Sequence, residues 1–290
     1  MRSINALRLR QARDDQLMST RDESLLPRYR MPRSFGYSPG PRNLPAHQRH
    51  RQYEKEVISW TVSARTQADR LERFLPEGLS LHGEARLEIC VMSFSNLGWL
   101  AGRGYDIVIV RIPVCWTERQ AQGSGCFVPV VWENMADPII TGREELGWSK
   151  IFADVRVSDA AAKPWQCSAS WDGHRFFEFS ASGFTQIASA PTQPAMVFEK
   201  YVPATGEPEA VDAQYLTMTV PDGPEPKIHA VEEGQGCFEF RSASWEQMPT
   251  QYPIVNALAA LPLCDFSRVT KVSSSSGGDG SEQRKLLLGS

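Results

Sequence analysis

The 290-residue sequence has no CxxC pair, no HExxH or HxH cluster, and no apolar run near the ~20 residues that a membrane-spanning helix requires. A zinc or iron centre would have to be assembled from residues far apart in the chain, so no metal site is expected. A formal charge of −3 is too small to imply nucleic acid or an anionic membrane as a partner. The six cysteines, Cys90, Cys115, Cys126, Cys167, Cys237 and Cys264, are widely scattered. They are expected to be reduced and mostly buried thiols. With no secretory leader pattern ahead of them, the expected location is the cytoplasm. No internal repeat is evident.

What is present falls into three stretches. Residues 1–50 carry Arg2, Arg8, Arg10, Arg13, Arg21, Arg28, Arg30 and Arg33 among prolines and polar residues, without the periodic apolar pattern that would bury a face. They are expected to form a flexible arginine-rich arm. Asp14, Asp15, Asp22 and Glu23 break the acid-poor composition of a mitochondrial presequence. At the other end, residues 273–290 are rich in serine and glycine and predict a flexible tail. Residues 51–272 form the expected folded domain.

The signal within that domain is mainly β. Strands are predicted at 57–62, 85–92, 105–116 and 126–132, the last two as an antiparallel pair joined through a QGSG turn at 122–125. Further strands are predicted at 151–157, 165–171, 195–202, 215–220 and 237–242, with Asp172-Gly173 as a hairpin turn. Helices are few, at 67–74, 142–147 (a short turn) and 245–261. The fold class is α+β, mainly β: a curved antiparallel sheet or closed β-barrel with a few flanking helices.

One stretch calls for a chemical explanation. In 132–150, WENMADPIITGREELGWSK, a lysine follows Trp148 and precedes Ile151, Phe152 and Ala153, an apolar setting that half commits Lys150 to burial. The run Gly142 to Lys150, GREELGWSK, resembles the acetoacetate decarboxylase superfamily. In that family a GRE segment is followed by glycine, usually an aromatic and a proline, and then the lysine that forms a Schiff base with the substrate carbonyl. The register puts Lys150 on that lysine and gives Gly142, Arg143, Glu144 and Gly147 the motif's structural places. Residues 69–81, DRLERFLPEGLSL, look like the family's short helix and its exit. ARLEICVM and GYDIVIVRIPV look like its next two strands. The resemblance spans about 55–270.

It implies an adduct-forming lyase that needs no cofactor, takes a small carbonyl compound or β-keto acid, and self-associates as a homo-oligomer. The sequence also departs from the family. Ile151 stands where a second lysine follows the first, Ser149 replaces the proline, and Ile107 replaces a glutamate expected soon after the tyrosine at 105. No clear equivalent exists for the family's N-terminal arginine, although Arg51, Arg65 and Arg103 lie nearby in sequence.

A lysine with a pKa near 10.4 is neutral in about one molecule in ~2,500 at pH 7. Bringing it near 7 corresponds to about 4 to 5 kcal/mol against the ammonium. Activated lysines are known to use either a neighbouring cation, as in acetoacetate decarboxylase, or desolvation. With Ile151 in place of the adjacent lysine, desolvation by Trp148, Ile151 and Phe152 is the expected cause. An iminium would serve decarboxylation of a polyketide-like β-keto acid, and equally aldol cleavage, dehydration or cyclisation. A barrel binding an apolar ligand, with the lysine as relic, is the reading of another class. Arg143 and Glu144 either pair with each other to hold the turn or contact substrate. Glu88 points either into a barrel interior or to solvent, and Arg103 is a candidate for a substrate carboxylate. Ile107 and Ile151 are expected to line the pocket, which the tryptophans would make large.

Overall fold

The computed structural model describes residues 29–41, 44, 54–221, 223–278 and 280–288. The chain divides into two units, Met1–Gln52 and Tyr53–Ser290. Arg2, Arg8, Arg10, Arg13, Arg21 and Arg28 of the expected arm, and Arg51, lie outside the described residues. The described part of the first unit holds one 3-10 turn, Arg33–Phe35. There Arg30 donates to the Pro39 carbonyl at 3.1 Å, and Arg33 lies over the Tyr29 ring.

The second unit is built on one mixed 14-stranded sheet. In chain order its strands are β1 (Glu56–Arg65), β2 (Ser80–Leu81), β3 (Arg86–Leu97), β4 (Arg103–Glu118), β5 (Ala121–Glu133), β6 (Lys150–Phe152), β7 (Asp154–Val157), β8 (Trp165–Trp171), β9 (His174–Gln186), β10 (Met196–Pro203), β11 (Val211–Thr219), β12 (Lys227–Phe240), β13 (Val269–Ser275) and β14 (Gln283–Lys285). The order across the sheet is β14-β11-β10-β5-β4-β3-β1-β13-β12-β9-β8-β7, with β2 on β4 and β6 on β5. This is the expected mainly-β class in its curved-sheet form. Two pairings, β5 with β6 and β5 with β10, are parallel.

Local chemistry explains much of the ladder. Asp172 and Gly173, with φ of 45° and 83°, make the two-residue turn between β8 and β9. The β4–β5 turn is displaced from the expected QGSG to Arg119-Gln120, also at positive φ, and the ladder runs to Glu118 opposite Ala121. Gly123 then sits inside β5, where a Cβ would come within 2.5 Å of the Trp116 indole. A strand glycine here marks close approach of a large side chain.

The predicted helix over 67–74 forms as α1 (Ala68–Leu71) plus the 3-10 turn Glu72–Phe74. The one over 245–261 shortens to α3 (Tyr252–Ala259). A helix absent from the sequence expectation, α2 (Ala136–Thr141), precedes a π-helical turn over Gly142–Leu146. The tail is a correction: residues expected to be flexible from 273 onward complete β13 and form β14. Arg284 pairs with Glu118 at 2.7 Å, and Leu286 is buried.

The two faces differ. One buries the main core, with Trp60 stacked on Trp165, Trp132 against Phe176, and α3 packed on it through Val255 and Leu258. The other holds a smaller cluster of Cys90, Ile107, Ile109, Val128, Val131 and Phe198, bordered by Met92, Phe94, Tyr105, Trp148 and Met196. Alternation along β3 and β4 assigns residues to these faces: Leu87, Ile89, Val108 and Val110 go to the main core, Cys90, Ile107 and Ile109 to the smaller cluster. No helix among the described residues is long and apolar enough to cross a membrane.

Candidate active site

Lys150 opens β6 and pairs in parallel with Val131 of β5. Its side chain lies with the smaller cluster. Only 5 % of the residue is exposed, and Nζ is 4.9 Å from the Trp148 ring and 5.7 Å from the Tyr105 ring. Trp148 stacks on Phe198 at 4.5 Å. Its indole N–H is buried without a hydrogen-bond partner among the described residues. Nζ also donates to the Pro138 carbonyl at 3.3 Å.

The strongest partner is Glu133, which sequence reasoning did not single out. Its Oε2 lies 2.9 Å from Nζ, and the residue has 0 % exposure. Burial pushes the Lys150 amine below its ordinary value, opposed by attraction to Glu133. Burial likewise pushes the Glu133 carboxyl up, opposed by Lys150. Both groups are thereby drawn toward their neutral forms, one proton apart across 2.9 Å.

The motif residues build this setting from the backbone outward. Gly142 has an ordinary helical φ of −59°, so its value is space: a Cβ there would come within 2.6 Å of Lys150 Cδ and 3.0 Å of Cε. The lysine stem lies flat on that peptide. Gly147, at φ 81°, ends the π-helical turn in the left-handed conformation. Arg143 Nη1 donates to the Lys150 carbonyl at 3.0 Å, and the Glu144 carbonyl accepts from Lys200 at 2.8 Å. Arg143 thus holds β6 to the turn. Ser149, in the place of the motif's proline, donates to the Val128 carbonyl at 2.8 Å.

The other candidates are dispersed. Ile107 is buried in the cluster beside the lysine and sits directly opposite Glu133 in the β4–β5 ladder. Facing residues of an antiparallel pair share one side, so Glu133 brings a carboxylate to the location where the resemblance expects one at 107. Ile151 and Phe152 do not surround the amine. Ile151, the next residue on the strand, packs against the main core, and Phe152 is 49 % exposed. A strand's period of two turns Ile151 to the opposite face from Lys150, while Phe152, on the lysine's side by alternation, closes β6 and is open to solvent. Arg103 is exposed and donates to the Leu100 carbonyl at 3.2 Å. Glu88 does lie on the same face, in an ion pair with Arg111 at 2.6 Å.

Of the cysteines, Cys90, Cys126 and Cys167 are buried, Cys115 is half-buried, and Cys237 and Cys264 are exposed; all six are free thiols. Burial pushes the Cys126 thiol up to about 12.

The model of the acetoacetate decarboxylase family matches residues 30–270. No curated protein matches. Among solved structures, an acetoacetate decarboxylase superposes with a TM-score of 0.63 at 13% identity, covering 82% of this chain and 90% of that one. An acetoacetate decarboxylase-like enzyme from Sphingomonas wittichii RW1 gives 0.60 at 17% identity, over 81% and 92%. The enduracididine biosynthesis enzyme MppR, with HEPES buffer bound, gives 0.61 at 16% identity, over 93% and 99%. At such identities the likeness concerns the fold.

Proposed function

Because the chain belongs to the acetoacetate decarboxylase family, we propose that it is a Schiff-base-forming lyase whose nucleophile is Lys150. The observation that carries this reading is a motif lysine with 5 % exposure, lying against an indole, whose amine burial drives toward neutrality. The substrate class is a small β-keto acid, with polyketide-like intermediates favoured by the aromatic border of Phe94, Tyr105, Trp148 and Phe198.

The steps follow from the Lys150–Glu133 pair. Nζ passes a proton to the Glu133 carboxylate, and the neutral amine adds to the ketone carbon. The resulting hydroxyl takes the proton back from Glu133 and leaves as water, giving an iminium beside a carboxylate. The C–C bond to the β-carboxylate breaks, its electron pair moves toward nitrogen, and carbon dioxide departs to leave an enamine. Protonation at carbon and addition of water release the ketone and the lysine. The apolar side chains around Lys150 favour loss of the carboxylate charge.

One observation favours a second reading. Glu133, 2.9 Å from the amine, is placed to move protons at a carbon next to an iminium, as aldol, dehydration or cyclisation chemistry requires. Among the structural neighbours, MppR was solved with the condensation product of pyruvate and imidazole 4-carboxaldehyde.

The test is borohydride reduction in the presence of acetoacetate or a β-diketone, followed by peptide mass analysis. A reduced adduct on the Lys150 peptide, absent in Lys150→Ala, is expected; its absence from the wild type would remove the Schiff-base reading. Carbon dioxide release from a β-keto acid, lost in the same variant, distinguishes decarboxylation from the other iminium reactions.

A further inference from the structure

The same sheet face carries a second buried cation, which plays no part in the chemistry above. Arg111 of β4 is 4 % exposed. It continues the alternation of Ile107 and Ile109, and it faces Glu88 across the β3–β4 ladder. Its Nε is 2.6 Å from Glu88 Oε1. Among the described residues, its outer nitrogens make one hydrogen bond, a long 3.5 Å donation from Nη2 to Thr61 Oγ1. A guanidinium presents five N–H donors in a rigid fork. Most of this one's fork is therefore without a protein acceptor among the described residues.

Arg111 lines a cavity of about 180 Å³. Its floor includes Arg111, Glu88, Ser59 and Thr61, with Arg268 at the rim. Its roof is the stretch 191–194, Pro-Thr-Gln-Pro, part of the connection from β9 to β10.

Topology explains that roof. Between β9 and β10 the sheet interposes β12, β13, β1, β3, β4 and β5, which makes seven spacings or about 34 Å at ~4.8 Å each. The connection from Gln186 to Met196 has ten steps and reaches at most about 36 Å when fully extended. It is pinned at both ends, by Ile187 N–H to the Val231 carbonyl at 2.9 Å and by Cys126 N–H to the Ala195 carbonyl at 2.8 Å. A connection so short cannot detour around the sheet. It spans the curved face as a chord, and the cavity is the space beneath it.

From this geometry we infer that the Arg111 cavity is a binding site for a small carboxylate, with the guanidinium as the anchoring group. Three features select the ligand. The unsatisfied donors of a planar fork match the two oxygens of a carboxylate. Arg111 and Arg268 against Glu88 leave an excess of one positive charge, which suits a monoanion; a second carboxylate would meet Glu88. The hydroxyls of Ser59 and Thr61 suit a ligand hydroxyl or carbonyl oxygen. The space, about six waters at ~30 Å³ each, limits the ligand to about three to five carbons. This goes beyond the proposed activity and does not depend on it.

The test uses lactate, which has no carbonyl that an amine could capture, with acetate as competitor, followed by ligand-observed NMR at constant ionic strength. Saturable binding of lactate by the full chain, displaced by acetate, is expected. The paired change Glu88→Gln with Arg111→Met, which removes both charges at similar volume, should weaken it more than about tenfold. Thr61→Val, nearly isosteric, should weaken it about threefold. Lys150→Met should leave it unchanged. No binding by the wild type, binding that survives both the paired change and Thr61→Val, or binding lost in Lys150→Met would each overturn the inference. Circular dichroism checks folding, and Thr61→Val decides the matter if the paired variant does not fold.

Discussion

Two cations are buried on one face of one sheet, Arg111 with Glu88 and Lys150 with Glu133, at 4 % and 5 % exposure. They differ in what each can do about its burial. An arginine stays charged under all ordinary conditions, so Arg111 needs acceptors. A lysine can shed its proton, so Lys150 can live in an apolar wall as a neutral amine. The carboxylates differ in the same direction: the Glu88 side chain keeps 22% of its exposure, while that of Glu133 keeps none. Equal depth thus yields opposite chemistry, a fixed charge at one end of the face and a transferable proton at the other.

The comparison breaks most sharply if the two glutamates are neutralised in turn. Glu88→Gln leaves Arg111 charged and buried, and should lower stability by about 3 kcal/mol in urea denaturation. Glu133→Gln leaves Lys150 free to deprotonate and should cost about 1 kcal/mol. Equal losses would mean that the amine stays charged.

Next in size is Gly142→Ala. The new Cβ collides with the lysine stem, so stability should fall by about 1 to 3 kcal/mol and reductive trapping should slow. Gly173→Ala, a turn position with open space around it, should leave trapping unchanged.

A smaller effect concerns pH. The folded-state value of Lys150 lies below its ordinary value of 10.5. Between the two the unfolded chain binds more protons, so stability rises with pH as 10.5 is approached. Thermal melts of the wild type should show this rise, and those of Lys150→Met should lack it. In Glu133→Gln the one partner that raises the amine's affinity for protons is gone, so trapping should begin at lower pH than in the wild type.

Least of all, Arg103→Gln should leave both trapping and lactate binding unchanged, since Arg103 is exposed and turned toward Leu100.

Much of this was legible in the sequence. Apolar alternation located most strands of the sheet, and the GRE run located the lysine. What escaped was non-local. Glu133 precedes Lys150 by 17 positions, and only the parallel pairing of β5 with β6 brings their side chains together. The clue was its place two residues beyond Val131 on one strand, on the side that β6 presents to Val131. Ile151 was misjudged because an apolar neighbour in sequence was read as a neighbour in space, although a strand sends consecutive side chains to opposite faces; Phe152, two residues on, ends β6 and is half exposed. The ordering of 283–285 depends on β11 as a partner, which serine and glycine content does not reveal. The roof over Arg111 arises from strand order, a property no local window contains.

The fork in β5 has a consequence for change over time. Cys126 and Phe127 pair with β10 while Val131 to Glu133 pair with β6, so two parallel neighbours divide one edge. The crossover from Glu133 to Lys150 sets how far along that edge the amine arrives. Gaining or losing one residue there would shift the register by one and turn Lys150 into the opposite face. Substitutions such as serine for proline at 149 preserve the spacing, whereas an insertion would remove the amine from its partner at a stroke. The segment is thus tolerant in spelling and strict in length.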